Sequence, residues 1–308
     1  MSLSIQGLSR PSFVSQVKPR QNNTQNTTFS HNRINSTPQI ALAQKASVMP
    51  AISFGSLKEI ALAKQFDAII AKYSKGENPL ILNAKDGFSR KIAHRITSEP
   101  NKPLIIGVTG QSASGKSTLL DQAKKAIGEG SYRIIHGDNY YHDTAQKRID
   151  EGGLATMFRK GFSFDKPDAV ELDLLNVDLK KLSNGESITK LSYDFCNGAR
   201  TVLPEKIQPA KIIIVDSIFA LNKKVNGALD TGIYVQSSPD VIKERFFKRA
   251  IEERNKNPEE AVLQYADVTE KAQEHIVPTA QNAGLILSGE APLEKSQEFF
   301  KDINKLFN

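Results

Sequence analysis

The stretch Gly110-Gln-Ser-Ala-Ser-Gly115-Lys116-Ser117 holds the residues whose types and spacing commit this 308-residue chain most firmly to a chemistry. It satisfies G-x-x-x-x-G-K-[ST], with an apolar run before it and a helical run after it. Glycines let successive backbone N–H groups turn inward as a nest for phosphate oxygens, and a helix N-terminus adds partial positive charge. Lys116 is placed to reach β- and γ-phosphates, and Ser117 to offer its hydroxyl to Mg²⁺. The expected nucleotide-binding set is therefore Gly110, Ser112, Ala113, Ser114, Gly115, Lys116, Ser117 and Thr118, with ATP and Mg²⁺ as ligands.

A phosphate loop alone does not separate a kinase from a GTPase, a motor or an ABC ATPase. Two acids narrow the reading. Ile212-Ile-Ile-Val215 is an apolar run ending in Asp216, a position from which a carboxylate holds Mg²⁺, usually through water. Asp138 follows a second apolar run, which puts it at the carboxyl edge of a sheet beside the phosphate loop. There it is placed to accept a proton from an attacking hydroxyl. Ser117, Asp138 and Asp216 form the expected metal set. A turn aspartate and a charged strand end are the plainer alternatives for the two acids. Neither an Asn-Lys-x-Asp guanine motif nor an ABC signature occurs.

These residues need a frame. Strands are expected at Leu104–Thr109, Tyr132–His136, Lys211–Asp216, Gly232–Gln236 and Leu285–Ser288, alternating with helices that begin at Lys116, Val170, Asp240 and Pro258. A last amphipathic helix uses Leu293, Phe299, Phe300, Ile303 and Phe307. Such alternation implies a parallel sheet covered on both faces. The expected fold class is α/β, a three-layer P-loop NTPase fold with about five parallel strands. Before it, Ile60, Ala63, Phe66, Ile69, Ile70 and Tyr73 recur at helical spacing. Residues 57–99 are accordingly read as a helical extension and residues 100–308 as the catalytic domain.

Composition sets the remaining bounds. Lys and Arg number 41 against 34 Asp and Glu, a net charge of +7. Residues 1–56 hold five basic residues and no acid, and 25 of the 56 are Ser, Thr, Asn or Gln, so they read as a disordered tail. The rest carries 36 basic and 34 acidic residues, which argues against a nucleic-acid surface. One cysteine excludes a disulfide framework, and no apolar run reaches the roughly 18 residues of a membrane span. Cys196 has no paired base nearby and reads as a packing residue, and His136 and His142 as incidental neighbours of Asp138. A cytoplasmic protein is expected, with the tail either a targeting or secretion leader or a plain linker.

From about Leu104 to Ser288 the order of motifs resembles the uridine kinase/phosphoribulokinase family of P-loop kinases. The phosphate loop is followed by Gly137-Asp-Asn-Tyr-Tyr141, Phe164-Asp-Lys-Pro-Asp-Ala169, Tyr193-Asp-Phe195 with Arg200, the Asp216 strand, the Arg-rich Arg245–Lys256, Gln264-Tyr265 and Pro278-Thr279. The resemblance implies Asp138 as general base and Asp165 as holder of acceptor hydroxyls. It implies an acceptor pocket of Tyr141, Phe164, Tyr193, Phe195, Arg200 and Gln264. Arg249 and Arg254 match lid arginines that, with Lys116, stabilise the transferring phosphoryl group. The arginines also fit an ordinary solvated helix face, and the aromatics an ordinary core.

Three positions depart from the family's pattern. Asp216-Ser217 stands where Glu-Gly is usual, Gly198 where uridine kinases carry a base-reading histidine, and Phe246 where a nucleoside-contacting arginine is expected. The implied function is an ATP-dependent kinase acting on a hydroxyl of a small, nucleoside- or sugar-like metabolite, with uridine itself not required. Two readings remain beside it: a secreted or targeted kinase with an unusual acceptor, and a nucleotide-binding interaction protein without transfer activity. Homo-oligomerisation is left open.

Overall fold

The computed structural model describes residues 55–128, 130–253 and 257–307. The expected tail, apart from its last two residues, and the expected lid residue Arg254 lie outside the described residues. In chain order the elements are α1 (Leu57–Tyr73), β1 (Ile81–Ala84), α2 (Phe88–Ser98), β2 (Leu104–Thr109), α3 (Lys116–Ile127) and β3 (Tyr132–His136). Then come α4 (Ala145–Asp150), α5 (Leu154–Arg159), α6 (Leu172–Ser183), β4 (Ile188–Tyr193), β5 (Arg200–Ile207) and β6 (Ile212–Asp216). The chain continues through α7 (Lys223–Asn226), β7 (Thr231–Gln236), α8 (Pro239–Lys248), α9 (Pro258–His275), β8 (Leu285–Ser288) and α10 (Leu293–Lys305). A π-helical turn at Arg249–Glu253 prolongs α8.

Six strands form one sheet in the order β1-β8-β7-β2-β6-β3, parallel except for β1, which runs antiparallel to β8. The five expected strands are its parallel part. β6 shows why the sheet has two covered faces. Ile213 and Val215 join a core with Leu175 and Leu179 of α6, whereas Ile212 and Ile214 join another with Leu119 of α3 and Phe299 of α10. Alternate side chains of one strand thus feed two helical layers, as a period of two requires.

The register brings the chemistry together. Val108 of β2 and His136 of β3 both pair with Asp216 of β6, so three strand ends finish level at one sheet edge. Gly110, Asp138 and Asp216 all issue from that edge.

Several features differ from expectation. The segment read as purely helical between residues 57 and 99 contributes β1, with Leu80 and Ile81 buried. Residues 188–207 form an antiparallel ribbon of β4 and β5 outside the main sheet. α6 begins at Leu172 rather than Val170, and β7 one residue early at Thr231.

Candidate active site

The phosphate loop closes a strand-to-helix turn that only small residues fit. Gly110 has φ +150° and Gly115 φ +97°. A methyl group on Gly110 would lie 2.3 Å from Val235 O, and one on Gly289 would lie 1.8 Å from Ser114 O. Ala113 also adopts positive φ, +65°, which costs an L-residue of order 1 kcal/mol. Packing holds it there: Ala113 sits against the cluster of Phe246, Ala250, Ala261 and Val268 from α8, its π turn and α9. Ser237 donates its hydroxyl to Ser114 O at 3.0 Å, and Arg245 Nη1 donates to Gly289 O at 3.0 Å. Arg245 is therefore a brace beneath the loop.

Lys116 Nζ donates to Gly110 O at 2.7 Å and Gln111 O at 3.1 Å. Burial pulls its ammonium below the ordinary lysine value, opposed by Asp216, Asp138 and Asp165 and reinforced by Arg249. Three carboxylates and two cations thus share one neighbourhood. Arg249 Nη2 donates to Ser112 Oγ at 2.8 Å, so the π turn reaches directly onto the phosphate loop.

These groups line a cavity of about 1130 Å³. At one end lie Ser112, Ala113, Ser114, Gly115, Lys116, Ser117 and Thr118. Gly110 shapes the loop from behind without lining the cavity. Asp138 and Asp216 line the same cavity, and His136 Nδ1 lies 3.4 Å from Asp216 Oδ2. The Ser117 hydroxyl and these two carboxylates are hard oxygen donors, the set Mg²⁺ prefers when phosphate oxygens and water complete its shell. The glycine cradle and this donor set fit a Mg²⁺-nucleotide. Among the described residues no three His, Cys, Asp or Glu side chains form a metal cage by themselves.

The other end is aromatic. Tyr141, Phe164, Asp165, Phe195 and Gln264 line it. Tyr141 packs edge-on to Phe164 at 5.1 Å and donates its hydroxyl to Phe164 O at 3.1 Å. Phe195 is 47% exposed, which leaves its ring available to a ligand. Asp165 has its pKa raised to about 6, first by burial and then by Asp267, with Asp138 adding to the effect and Lys116 and Arg249 opposing it. Tyr193 stands one layer back, its ring 5.0 Å from Phe195 and its hydroxyl 3.1 Å from Thr144 Oγ1.

Arg200 does not join this group. Its guanidinium forks onto Glu171, with Nη1 2.9 Å from Oε2 and Nη2 donating to Oε1 at 3.0 Å, and Nη1 also donates to Tyr141 O. A paired arginine of this kind ties β5 to the start of α6. Cys196, expected to pack, is exposed and lines the cavity. Phe246 is buried and packs in the cluster that holds Ala113 of the phosphate loop.

Arg148 escaped the sequence reading. It is buried, donates from Nη1 to Phe195 O and Cys196 O at 3.0 and 3.2 Å, from Nε to Thr144 Oγ1, and lies 5.8 Å from the Phe164 ring. Gly198 has φ +82°, and a methyl group there would sit 2.4 Å from Arg148 Nε. The absent side chain at 198 and the arginine are one feature. In Gln-Lys-Arg-Ile-Asp nothing distinguishes Arg148 from a solvated helical residue, and only the returning 193–199 turn reveals it.

The family model for Phosphoribulokinase / Uridine kinase family matches residues 105–291. A uridine kinase of Leuconostoc citreum is 34% identical over 190 residues, 60% of this chain and 87% of its own. One from Clostridium perfringens is 33% identical over 188 residues, with the same shares covered. Among solved structures, D-glycerate 3-kinase from Cryptococcus neoformans aligns with 77% of this chain and 98% of its own at TM-score 0.44 and 12% identity, too distant to carry an argument. With its motifs gathered at one sheet edge and most of its length matched, the chain belongs to the Phosphoribulokinase / Uridine kinase family and is an ATP-dependent kinase of small metabolites.

Proposed function

We propose that this protein transfers the γ-phosphoryl group of ATP to a hydroxyl of a nucleoside- or sugar-like acceptor held between Asp138, Asp165 and the aromatic wall. The observation that carries this reading is the single cavity that contains the phosphate loop, Asp138, Asp165, Arg249 and the Phe164–Phe195 surface together. Asp138 takes the proton as the acceptor oxygen bonds to the γ-phosphorus and the bond to the β–γ bridging oxygen breaks, releasing ADP. Lys116 and Arg249 stabilise the charge on the equatorial oxygens. Asp165 holds acceptor hydroxyls, with Gln264 at the same end. Ser117, Asp138 and Asp216 would hold Mg²⁺, which supplies charge neutralisation to the phosphates.

The acceptor is not selected by its pyrimidine edge. Arg148 occupies the space beside Gly198, and Arg200 is committed to Glu171, so neither position offers a free donor. By the same reading residues 100–308 carry catalysis, residues 57–99 brace them, and residues 1–56 are a leader concerned with delivery.

The test is coupled ADP release with uridine, cytidine, ribulose 5-phosphate, pantothenate and glycerate, run beside Asp138→Ala. Acceptor-dependent release by the wild type, lost in Asp138→Ala, supports the proposal. Release no greater than that of Asp138→Ala with every acceptor overturns it for this panel.

A further inference from the structure

We infer that Asp267 of α9 is a positioning residue for the acceptor site, acting through the buried hydroxyl of Ser163 on the loop that presents Asp165. Ser163 Oγ donates to Asp267 Oδ2 at 2.8 Å and accepts the Asp165 backbone N–H at 3.2 Å. Ser163 is 3% exposed, so this relay runs through the interior. Gln264 and Val268, either side of Asp267 on α9, line the cavity, whereas Asp267 does not. It meets the acceptor loop from behind.

The Asp267 carboxylate is half-buried, and its hydrogen-bond partner is a hydroxyl rather than a cation. Placed next to Asp165, it also repels a second carboxylate. Two consequences follow. The loop from 163 to 168 is tied to the helix that follows the Arg249 turn, so the acceptor carboxylate and the phosphate-facing arginine are connected through α8 and α9. Burial and the Asp267 charge also raise the Asp165 pKa to about 6, so this carboxyl takes up a proton more readily than an ordinary aspartate. The charged groups around Asp165 are Asp267 from α9, Asp138 from the turn after β3, Lys116 from α3 and Arg249 from the π turn. Asp267 is the one among them that the transfer reaction itself does not use.

This inference rests on the reading of Asp165 as the acceptor-holding group, yet its test does not need the acceptor. In full-length protein labelled with ¹³C at aspartate carboxyls, Asp165 is assigned by difference with Asp165→Asn and titrated in wild type, Asp267→Asn and Ser163→Ala. The expected wild-type midpoint is about 6, and Asp267→Asn should lower it by about half a pH unit or more. Ser163→Ala and Asp267→Ala each break the relay and should both speed exchange of the Asp165 amide, and exchange as slow as in wild type in either variant overturns the inference. A midpoint unchanged in Asp267→Asn, or a wild-type midpoint in the ordinary aspartate range, overturns the inference. Should Asp267→Asn fail to fold, Asp267→Ser serves in its place. Failure of the kinase proposal shows separately, as absent ADP release in unaltered protein.

Discussion

Asp165 and Lys116 place opposite demands on one small volume. A carboxyl whose folded-state pKa is raised to about 6 binds its proton more tightly folded than unfolded. Its effect on stability is therefore absent below about pH 4 and becomes a penalty as pH rises through 6. Asp165→Asn should accordingly melt higher than wild type at pH 7.5, by about 1–2 kcal/mol, with the advantage fading towards pH 4. Thermal melts across that range check this, and the same variant should show weakened use of any acceptor found. Lys116→Met should cut ADP release by about 100-fold or more while the fold, judged by circular dichroism, persists. Lys116 was expected from the phosphate loop, whose chemistry dictates both type and spacing, and Asp165 only from the family resemblance. Arg148, Arg245 and Asp267 were not, because each acts on a segment distant in sequence: Arg148 on the 193–199 turn, Arg245 on Gly289, Asp267 on Ser163. No local pattern marks such partners.

At the scale of elements, the turn between β4 and β5 shapes the part of the cavity that Phe195 and Cys196 line. Gly198 adopts φ +82° against the Arg148 guanidinium, and Thr144 N–H donates to Gly198 O at 2.8 Å. Gly198→Ala should lower stability by about 2–3 kcal/mol, combining left-handed strain with a clash. That corresponds to a melting temperature roughly 5–10 °C lower. Gly198→His should be worse and should not confer use of uridine, since Arg148 already fills the space; melting and ADP release together decide this. Two elements went unread, the ribbon and β1. Pro204 within β5 argues against a strand, yet a two-stranded ribbon has free edges where the missing N–H costs nothing. β1 is four residues long and flanked by helical patterns, so its pairing with β8 is visible only once the sheet exists. The five parallel strands, by contrast, carry apolar runs, most continuously in β2 and β6, and announce themselves.

For the molecule as a whole, the segment from 57 to 99 is tied to the rest of the described chain at several points. Asp302 of α10 accepts from Lys72 Nζ at 2.8 Å, Tyr73 O–H at 2.9 Å and Lys305 Nζ at 2.8 Å, which together hold its carboxyl well below the usual range. A depressed carboxyl stabilises the fold above about pH 4 and loses that effect as pH falls further. Asp302→Asn should therefore melt below wild type at pH 7, with the gap closing under about pH 4. Arg95 of α2 adds a second tie, donating from Nε to Asp230 Oδ1 at 2.7 Å while Asp230 Oδ2 accepts from Ile105 N–H at 2.8 Å.

β1 has a further consequence, in colloidal behaviour. It covers the edge of β8, whose sequence is Leu-Ile-Leu-Ser, while the far edge strand β3 carries Arg133 and His136. A protein beginning at residue 100 would present β8 as a bare row of amide and carbonyl groups flanked by leucines, a template for strands of neighbouring molecules. Light scattering of such a truncation should show concentration-dependent clumping that the full chain does not. On that expectation the small antiparallel strand serves as a shield between neighbouring copies.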